Sequence, residues 1–202
     1  CWAITSLSAK GRIDFDAGIF DVVVFDEASQ CDIASALPLL YRAKTAVVIG
    51  DPKQLTHISS LPRKQDIRLL GKHDLSDKFI SWAYSFNSLY DLMSGYIDDS
   101  LINLLDHHRS HKDIINFSNT QFYEDKLRIA TNYDYLNLPE KAVTGIRWVD
   151  VNGKTRRHNQ GGSINEIEAR AVVKEIERLV ITNNYIGTVG VVTPFRQQAS
   201  MI

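Results

Sequence analysis

Apolar and polar positions follow two rhythms along this chain, and the rhythms predict its elements. Asp21 to Phe25 (DVVVF) is a β-branched apolar run closed by two acids, which predicts a strand buried on both faces. Asp32 can then cap a helix running through Ile33, Ala36, Leu37, Leu40 and Tyr41. Pro38 inside that pattern marks a start or a kink, because its ring removes a helical N–H. Thr45 to Ile49 is a second buried strand, ending at Gly50-Asp51-Pro52. Strand, helix and strand at this spacing form a βαβ unit and predict a parallel sheet.

The following stretch, residues 56–78, is polar and weakly periodic and reads as a long surface excursion. A helix is predicted near Ile80 to Met93, a short strand over Leu101 to Leu105, and a helix over Lys112 to Phe122 on the spacing of Ile114, Ile115, Phe117 and Phe122. Residues 131–145 read as loop, Ile146 to Val151 as a strand, Asn152-Gly153 as a turn and Arg156 to Gly162 as a polar loop. An amphipathic helix is expected from Asn165 to about Ile181, with Ile167, Ala171, Val172, Ile176 and Leu179 on one face. Thr188 to Val192 is the last predicted strand, and Pro194 suits the first turn of a closing helix. The internal boundary is expected near residues 95–104.

Composition narrows the classes. Apolar residues make up 44% of the 202 and charged residues 23%, so a packed core is within reach. The net charge of −1 gives no basic footprint, and any nucleic-acid binding must rest on local residues. Cys1 and Cys31 form no CxxC pair, which offers neither a disulfide framework nor a structural zinc site and fits a reducing, intracellular and cytoplasmic setting. No apolar run is long enough to span a membrane, and no signal peptide is visible. The chain opens at Cys1 without Met and stops after an expected strand, so both ends read as cut from a longer protein.

Chemistry gathers where strands end. Asp26-Glu27 stands at the C-terminal end of the first strand, the edge at which open α/β sheets bind ligands. One carboxylate there can hold Mg²⁺ through water, and its neighbour can orient or deprotonate a water for attack on a γ-phosphate. Asp26 suits the first task and Glu27 the second; the plainer reading is two acids that simply end a strand. The His107–His111 pair has the i, i+4 spacing of a metal pair, but a histidine-rich loop that merely packs is the preferred reading.

Together these segments resemble superfamily 1 helicases, in the group of the eukaryotic RNA-surveillance and replication helicases. Asp26-Glu27-Ala28-Ser29-Gln30 resembles their Walker B segment, and Gly50-Asp51-Pro52-Lys53-Gln54-Leu55 resembles their motif III at the end of the next strand. The resemblance implies nucleotide contact at Asp26, Gly50 and Asp51, and γ-phosphate sensing by Gln54. Leu105 to Leu127 is similar to motif IV and its helix, through Arg109-Ser110, Ile115, Phe117-Ser118-Asn119, Phe122-Tyr123 and Leu127, with His108 where the family has tyrosine. That match implies an arginine finger at Arg109, a role suited to a planar, always-charged fork. Thr193-Pro194-Phe195-Arg196-Gln197-Gln198 resembles a further motif, which implies nucleic-acid contact at Thr193, Pro194 and Arg196. Thr5-Ser6 resembles a strand-contacting segment, where caps and turns are the usual use of such residues.

What the resemblance implies is an α/β, P-loop NTPase architecture with RecA-like parallel sheets. Residues 1–100 would be the C-terminal part of a first ATPase domain and residues 101–202 the N-terminal part of a second. ATP and Mg²⁺ are the implied cofactors, and single-stranded DNA or RNA the implied partner, with 5′ to 3′ movement. No GxxxxGK[ST] occurs, so the chain alone is expected not to hydrolyse ATP. A motor of a defence or remodelling protein, or a module that binds nucleic acid without turnover, would use the same residues.

Overall fold

The computed structural model describes residues 2–9, 11–76, 78–97, 101–135, 145–159 and 161–202. Cys1 and most of the expected 131–145 loop lie outside the described residues. The structure is mixed α/β and divides into two compact units, Cys1–Asn103 and Leu104–Ile202.

The first unit is organised by strand β1 (Phe20–Phe25), helix α1 (Ile33–Tyr41) and strand β2 (Ala43–Val48). The strands pair in parallel from Phe20 opposite Ala43 to Phe25 opposite Val48. Their ladder continues past the C-terminal ends of both strands: Ile49 N–H donates to Phe25 O and Ala28 N–H to Ile49 O, each at 2.8 Å. Helix α1 begins where the sequence predicts, because Asp32 Oδ1 accepts the Ser35 N–H at 2.8 Å and Oδ2 accepts the Ser35 hydroxyl at 2.7 Å. At the helix end Arg42 is buried, which costs free energy unless the charge is solvated by protein groups. Its guanidinium donates to Pro38 O at 2.7 Å, Asp14 O at 2.8 Å and Ile13 O at 3.0 Å. Phe25, Ala28, Ala36 and Leu89 form the buried core beneath.

The stretch 56–78 contains a helix the sequence does not announce, α2 (Arg63–Lys72). Its anchor is a buried acid: Asp66 Oδ2 accepts the Ser85 N–H at 2.8 Å. The helix predicted over 80–93 begins only at α3 (Leu89–Ser94). Ser88 and Asp91 form a reciprocal capping box that sets this start, and Ile80–Trp82 is a separate 3₁₀ turn.

In the second unit strands β3 (Asp106–His107) and β4 (Arg128–Ile129) pair in parallel, flanking helix α4 (Lys112–Phe122) in sequence. Buried Asn119 closes the α4–β4 connection, accepting the Leu127 N–H at 2.9 Å and donating to Leu127 O at 3.2 Å. Where a polar loop is expected, β5 (Arg156–Arg157) and β6 (Ser163–Ile164) form an antiparallel hairpin. Helix α5 (Glu166–Glu177) is capped by Asn165 and continues into a π turn over Arg178–Thr182. Helix α6 (Arg196–Met201) ties back through Gln198, whose amide exchanges two buried hydrogen bonds with the Asn165 backbone at 2.8 and 3.0 Å.

Three expected strands do not form. Leu101–Leu105, Ile146–Val151 and Thr188–Val192 are irregular, with Leu104, Trp148 and Val192 84%, 88% and 98% exposed. A strand is completed by a neighbour's N–H and C=O groups; among the described residues these runs enter no ladder, although Leu105 O accepts the Arg128 N–H at 2.8 Å just before β3 begins. Among the described residues the sheets are two-stranded, β1 with β2 and β3 with β4 in parallel and β5 with β6 antiparallel. Among the described residues no helix is long and apolar enough to cross a membrane.

Candidate functional site

In the first unit five of the sequence-predicted residues converge at the C-terminal ends of paired strands β1 and β2. Asp26 and Glu27 leave β1 with exposed side chains. Glu27 adopts φ 53° and ψ 41°, a left-handed conformation uncommon outside glycine, and this bend feeds the 3₁₀ turn Ala28–Gln30. Asp26 Oδ1 accepts the Glu27 N–H at 3.0 Å, and Glu27 Oε2 accepts Gln30 Nε2 at 3.3 Å. Two outward carboxylates on a bent strand end are thus held by their own backbone and by a neighbouring amide.

The loop after β2 lies against that turn. A Cβ on Gly50 would stand 2.8 Å from Tyr90 Cδ2 and 3.0 Å from the Ser29 backbone nitrogen, so only glycine admits this approach without displacement. Ser29 is buried; its Oγ sits 3.5 Å from the Asp51 N–H and its carbonyl accepts the His57 N–H at 3.2 Å. Asp51 organises the loop: Oδ1 accepts the Lys53 N–H and Oδ2 accepts Gln54 Nε2, both at 2.9 Å. Gln54 itself is exposed, with its N–H donated to Asp51 O at 3.2 Å. Sequence reasoning missed Ser29, Tyr90 and the bracing by Asp51; Ser29 stands inside a motif it quoted, whereas nothing local marks Tyr90. The half-buried Cys31 thiol has its pKa raised, by burial first and then by Asp32, so it is not poised as a nucleophile.

In the second unit Arg109 is exposed and makes no ion pair among the described residues. The histidines around it act locally. His107 Nε2 accepts the Ser110 N–H at 2.9 Å, and His111 Nδ1 caps α4 by accepting the Asp113 N–H at 3.3 Å. Burial, then Arg109, then His108 lower the pKa of His107. Both rings serve packing and backbone, and the described residues hold no group of three or more side chains able to bind a metal.

The remaining candidates sit apart in the chain. Thr193 Oγ1 donates to Phe195 O at 2.9 Å, and Pro194 and Arg196 are exposed. Pro194 precedes α6 instead of opening it, because the six-residue helix starts at Arg196 and Phe195 provides no side-chain cap. Thr5 bonds Ser8 through its hydroxyl, at 2.8 Å, and through its carbonyl, at 2.9 Å, which is turn-forming work at the 3₁₀ segment Ser6–Ala9. A cavity of about 800 Å³ beside α1, bordered by Leu7, Phe15, Pro38 and Arg42, takes in Ser6 of the Thr5-Ser6 segment but none of the residues at the β1 and β2 strand ends.

A family profile described as AAA domain matches residues 85–202, and a second of the same description matches residues 4–59. Helicase sen1 of Schizosaccharomyces pombe is 30% identical over 192 residues, which is 89% of this chain and 10% of that protein. The uncharacterized ATP-dependent helicase MG140 of Mycoplasma genitalium is 29% identical over 187 residues, 92% of this chain and 16% of that protein. Helicase SEN1 of Saccharomyces cerevisiae is 24% identical over 190 residues, 89% of this chain and 8% of that protein. Across the relatives compared, the chain spans between 8% and 23% of each protein's own length.

Proposed function

The chain belongs to the AAA-domain family of superfamily 1 helicases, and from that premise we propose that it supplies the Mg-ATP hydrolysis carboxylates of a helicase or translocase acting on single-stranded DNA or RNA. The observation that carries this reading is the convergence of Asp26, Glu27, Gly50, Asp51 and Gln54 at adjacent parallel strand ends, bonded through Ala28 and Ile49. In this reading residues 1–100 belong to one RecA-like domain and residues 101–202 to a second.

Asp26 is the residue that would hold Mg²⁺, through water. The donor set fits: one outward carboxylate, with Oδ2 unpartnered among the described residues, suits an ion that keeps much of its water and takes its other ligands from phosphates. When bound, the ion neutralises charge on the phosphate oxygens. Glu27 lies one residue on, exposed, and acts as the base that orients and deprotonates the attacking water. Gln54 lies at the next strand end and joins the phosphate–water cluster, with Gly50 and Asp51 shaping its loop. Arg109 stabilises charge on the transferring γ-phosphate, and its exposure without an ion-pair partner among the described residues suits a group that must reach a ligand. Thr5, Thr193, Pro194 and Arg196 are the proposed contacts to the single strand.

The test is Glu27→Gln in the full-length protein. The substitution keeps shape and hydrogen bonding but removes the base. Nucleotide affinity, followed with a fluorescent ATP analogue, should stay within a few-fold while steady-state hydrolysis falls by about 10²-fold or more. Unchanged hydrolysis would remove Glu27 from the reaction. Asp26→Ala should abolish the Mg²⁺ dependence of nucleotide binding as well as turnover.

A further inference from the structure

The turn that bears Arg109 is closed by two side chains that no motif assigns. His107 Nε2 accepts the Ser110 N–H at 2.9 Å, spanning His108 and Arg109. A ring nitrogen that accepts carries no proton, so the neutral imidazole is protonated at Nδ1. From the far side comes Thr131, 8% exposed, whose hydroxyl donates to Ser110 O at 2.7 Å and lies 3.3 Å from His107 O. Its single proton serves the nearer oxygen; His107 O is satisfied by the Ala130 N–H at 2.9 Å. Ser110 is thereby held at both its N–H and its C=O, and the exposed Arg109 directly precedes it.

We propose that His107 and Thr131 are positioning residues for Arg109, which close the 107–110 turn and so fix the direction in which the guanidinium leaves the chain. The proposal rests on reading Arg109 as the arginine that meets the γ-phosphate. A planar fork delivers its hydrogen bonds only from one approach, and a misplacement of about 1 Å can cost about 10²-fold in rate.

Protonation of His107 opposes the closed turn in two ways. It puts an N–H where the Ser110 N–H already points, and it adds a cation beside Arg109 and His108. The carboxylates nearby have other partners: Asp106 pairs with Arg128 across β3 and β4, and Asp113 faces His111, which also stacks edge-on with Tyr133. Closure therefore lowers the histidine pKa. The closed form is fully favoured above the ordinary value of 6.5 and lost as pH falls through the lowered one.

Nuclear magnetic resonance on this chain tests the geometry directly. Above the ordinary histidine pKa, the His107 ring should be the Nδ1–H tautomer, and the Ser110 amide should exchange more slowly than its intrinsic rate. Once pH has fallen through the lowered His107 value, that protection should vanish. His107→Gln, whose carbonyl can accept the same bond without titrating, should keep the protection at both pH values. His107→Leu should lose it while Asn119 continues to protect Leu127. In the full-length protein, His107→Leu and Thr131→Val should lower the nucleic-acid-stimulated kcat about tenfold with the KM for ATP little changed, and His107→Gln should restore it. An Nε2–H tautomer, or Ser110 protection indifferent to pH and to His107→Leu, overturns the proposal. If the leucine variant does not fold, the wild-type titration and the glutamine variant decide. Full turnover in Arg109→Ala, with the Ser110 results as expected, would refute the arginine reading alone; loss of turnover in Arg109→Ala with none in His107→Leu would refute positioning alone.

Discussion

Gln54 Nε2 donates to Asp51 Oδ2 at 2.9 Å, and this one bond decides which face of the Gln54 amide is presented. An ionised carboxylate only accepts hydrogen bonds, so the NH₂ must face Asp51 and the carbonyl oxygen must point away. In this state Gln54 offers its carbonyl oxygen as an acceptor and keeps one N–H as a donor, which together suit a bridging water. Asp51→Ala removes that constraint. The two Gln54 side-chain N–H resonances, assigned with Gln54→Glu, should move toward solvent-exposed values in Asp51→Ala. The full-length Asp51→Ala protein should lose about tenfold in stimulated kcat. Unmoved Gln54 resonances would show that Asp51 does not hold the amide in solution.

Gly50 is where the two motif loops touch, and the contact predicts a stability effect independent of any activity. A methyl group there meets the Ser29 backbone at 3.0 Å and the Tyr90 ring at 2.8 Å. The ring can shift, but the backbone nitrogen cannot do so without straining the turn after Glu27. Gly50→Ala should therefore destabilise this chain by about 1–3 kcal/mol, read as a lower urea midpoint. An unchanged midpoint would mean that the loops separate easily.

Acid sensitivity in the second unit should trace to Glu175. Its pKa is held down to about 2, first by hydrogen bonding from Arg178 and then by Arg147. A depressed carboxylate pKa contributes stability that is present above the unfolded value of about 4.5 and lost as pH falls toward about 2. The side chain is partly exposed, so solvent and salt reduce the effect. Melting temperatures of wild type and Glu175→Gln should differ at neutral pH and converge across that acid window. A gap that persists in acid would assign the difference to packing.

What the sequence reveals depends on how local the cause is. Helix α4 is legible to the residue, because its apolar spacing and its starting turn lie within the same stretch. Helix α1 is legible through Asp32, which caps it three residues before its partner Ser35. Helix α2 is not, since the buried acid that anchors it answers a backbone N–H at Ser85, far along the chain. The expected strand at Thr188–Val192 fails for the converse reason: an apolar run states its preference but not its partner. Within the candidate site, the motif carboxylates can be read off directly, whereas the bracing of Arg109's turn by Thr131 cannot, because a threonine in a loop carries no mark of the carbonyl it will serve.

Arg109 yields the sharpest functional prediction, because the structure leaves its guanidinium without an ion-pair partner among the described residues. A structural arginine would be locked to a carboxylate, or to backbone carbonyls as Arg42 is, and its removal would leave an acid or a carbonyl unpaired. Removal here leaves no such group among the described residues, so Arg109→Ala should preserve the melting temperature of this chain. In the full-length protein the same substitution should leave ground-state ATP affinity within a few-fold and cut the nucleic-acid-stimulated kcat by about 10³-fold, the scale of an arginine finger. Arg109→Lys should not recover it, since a point charge cannot reproduce two parallel N–H donors. Loss of affinity in proportion to kcat would instead make Arg109 a ground-state phosphate contact. A fall in melting temperature with turnover unchanged would make it a structural residue after all.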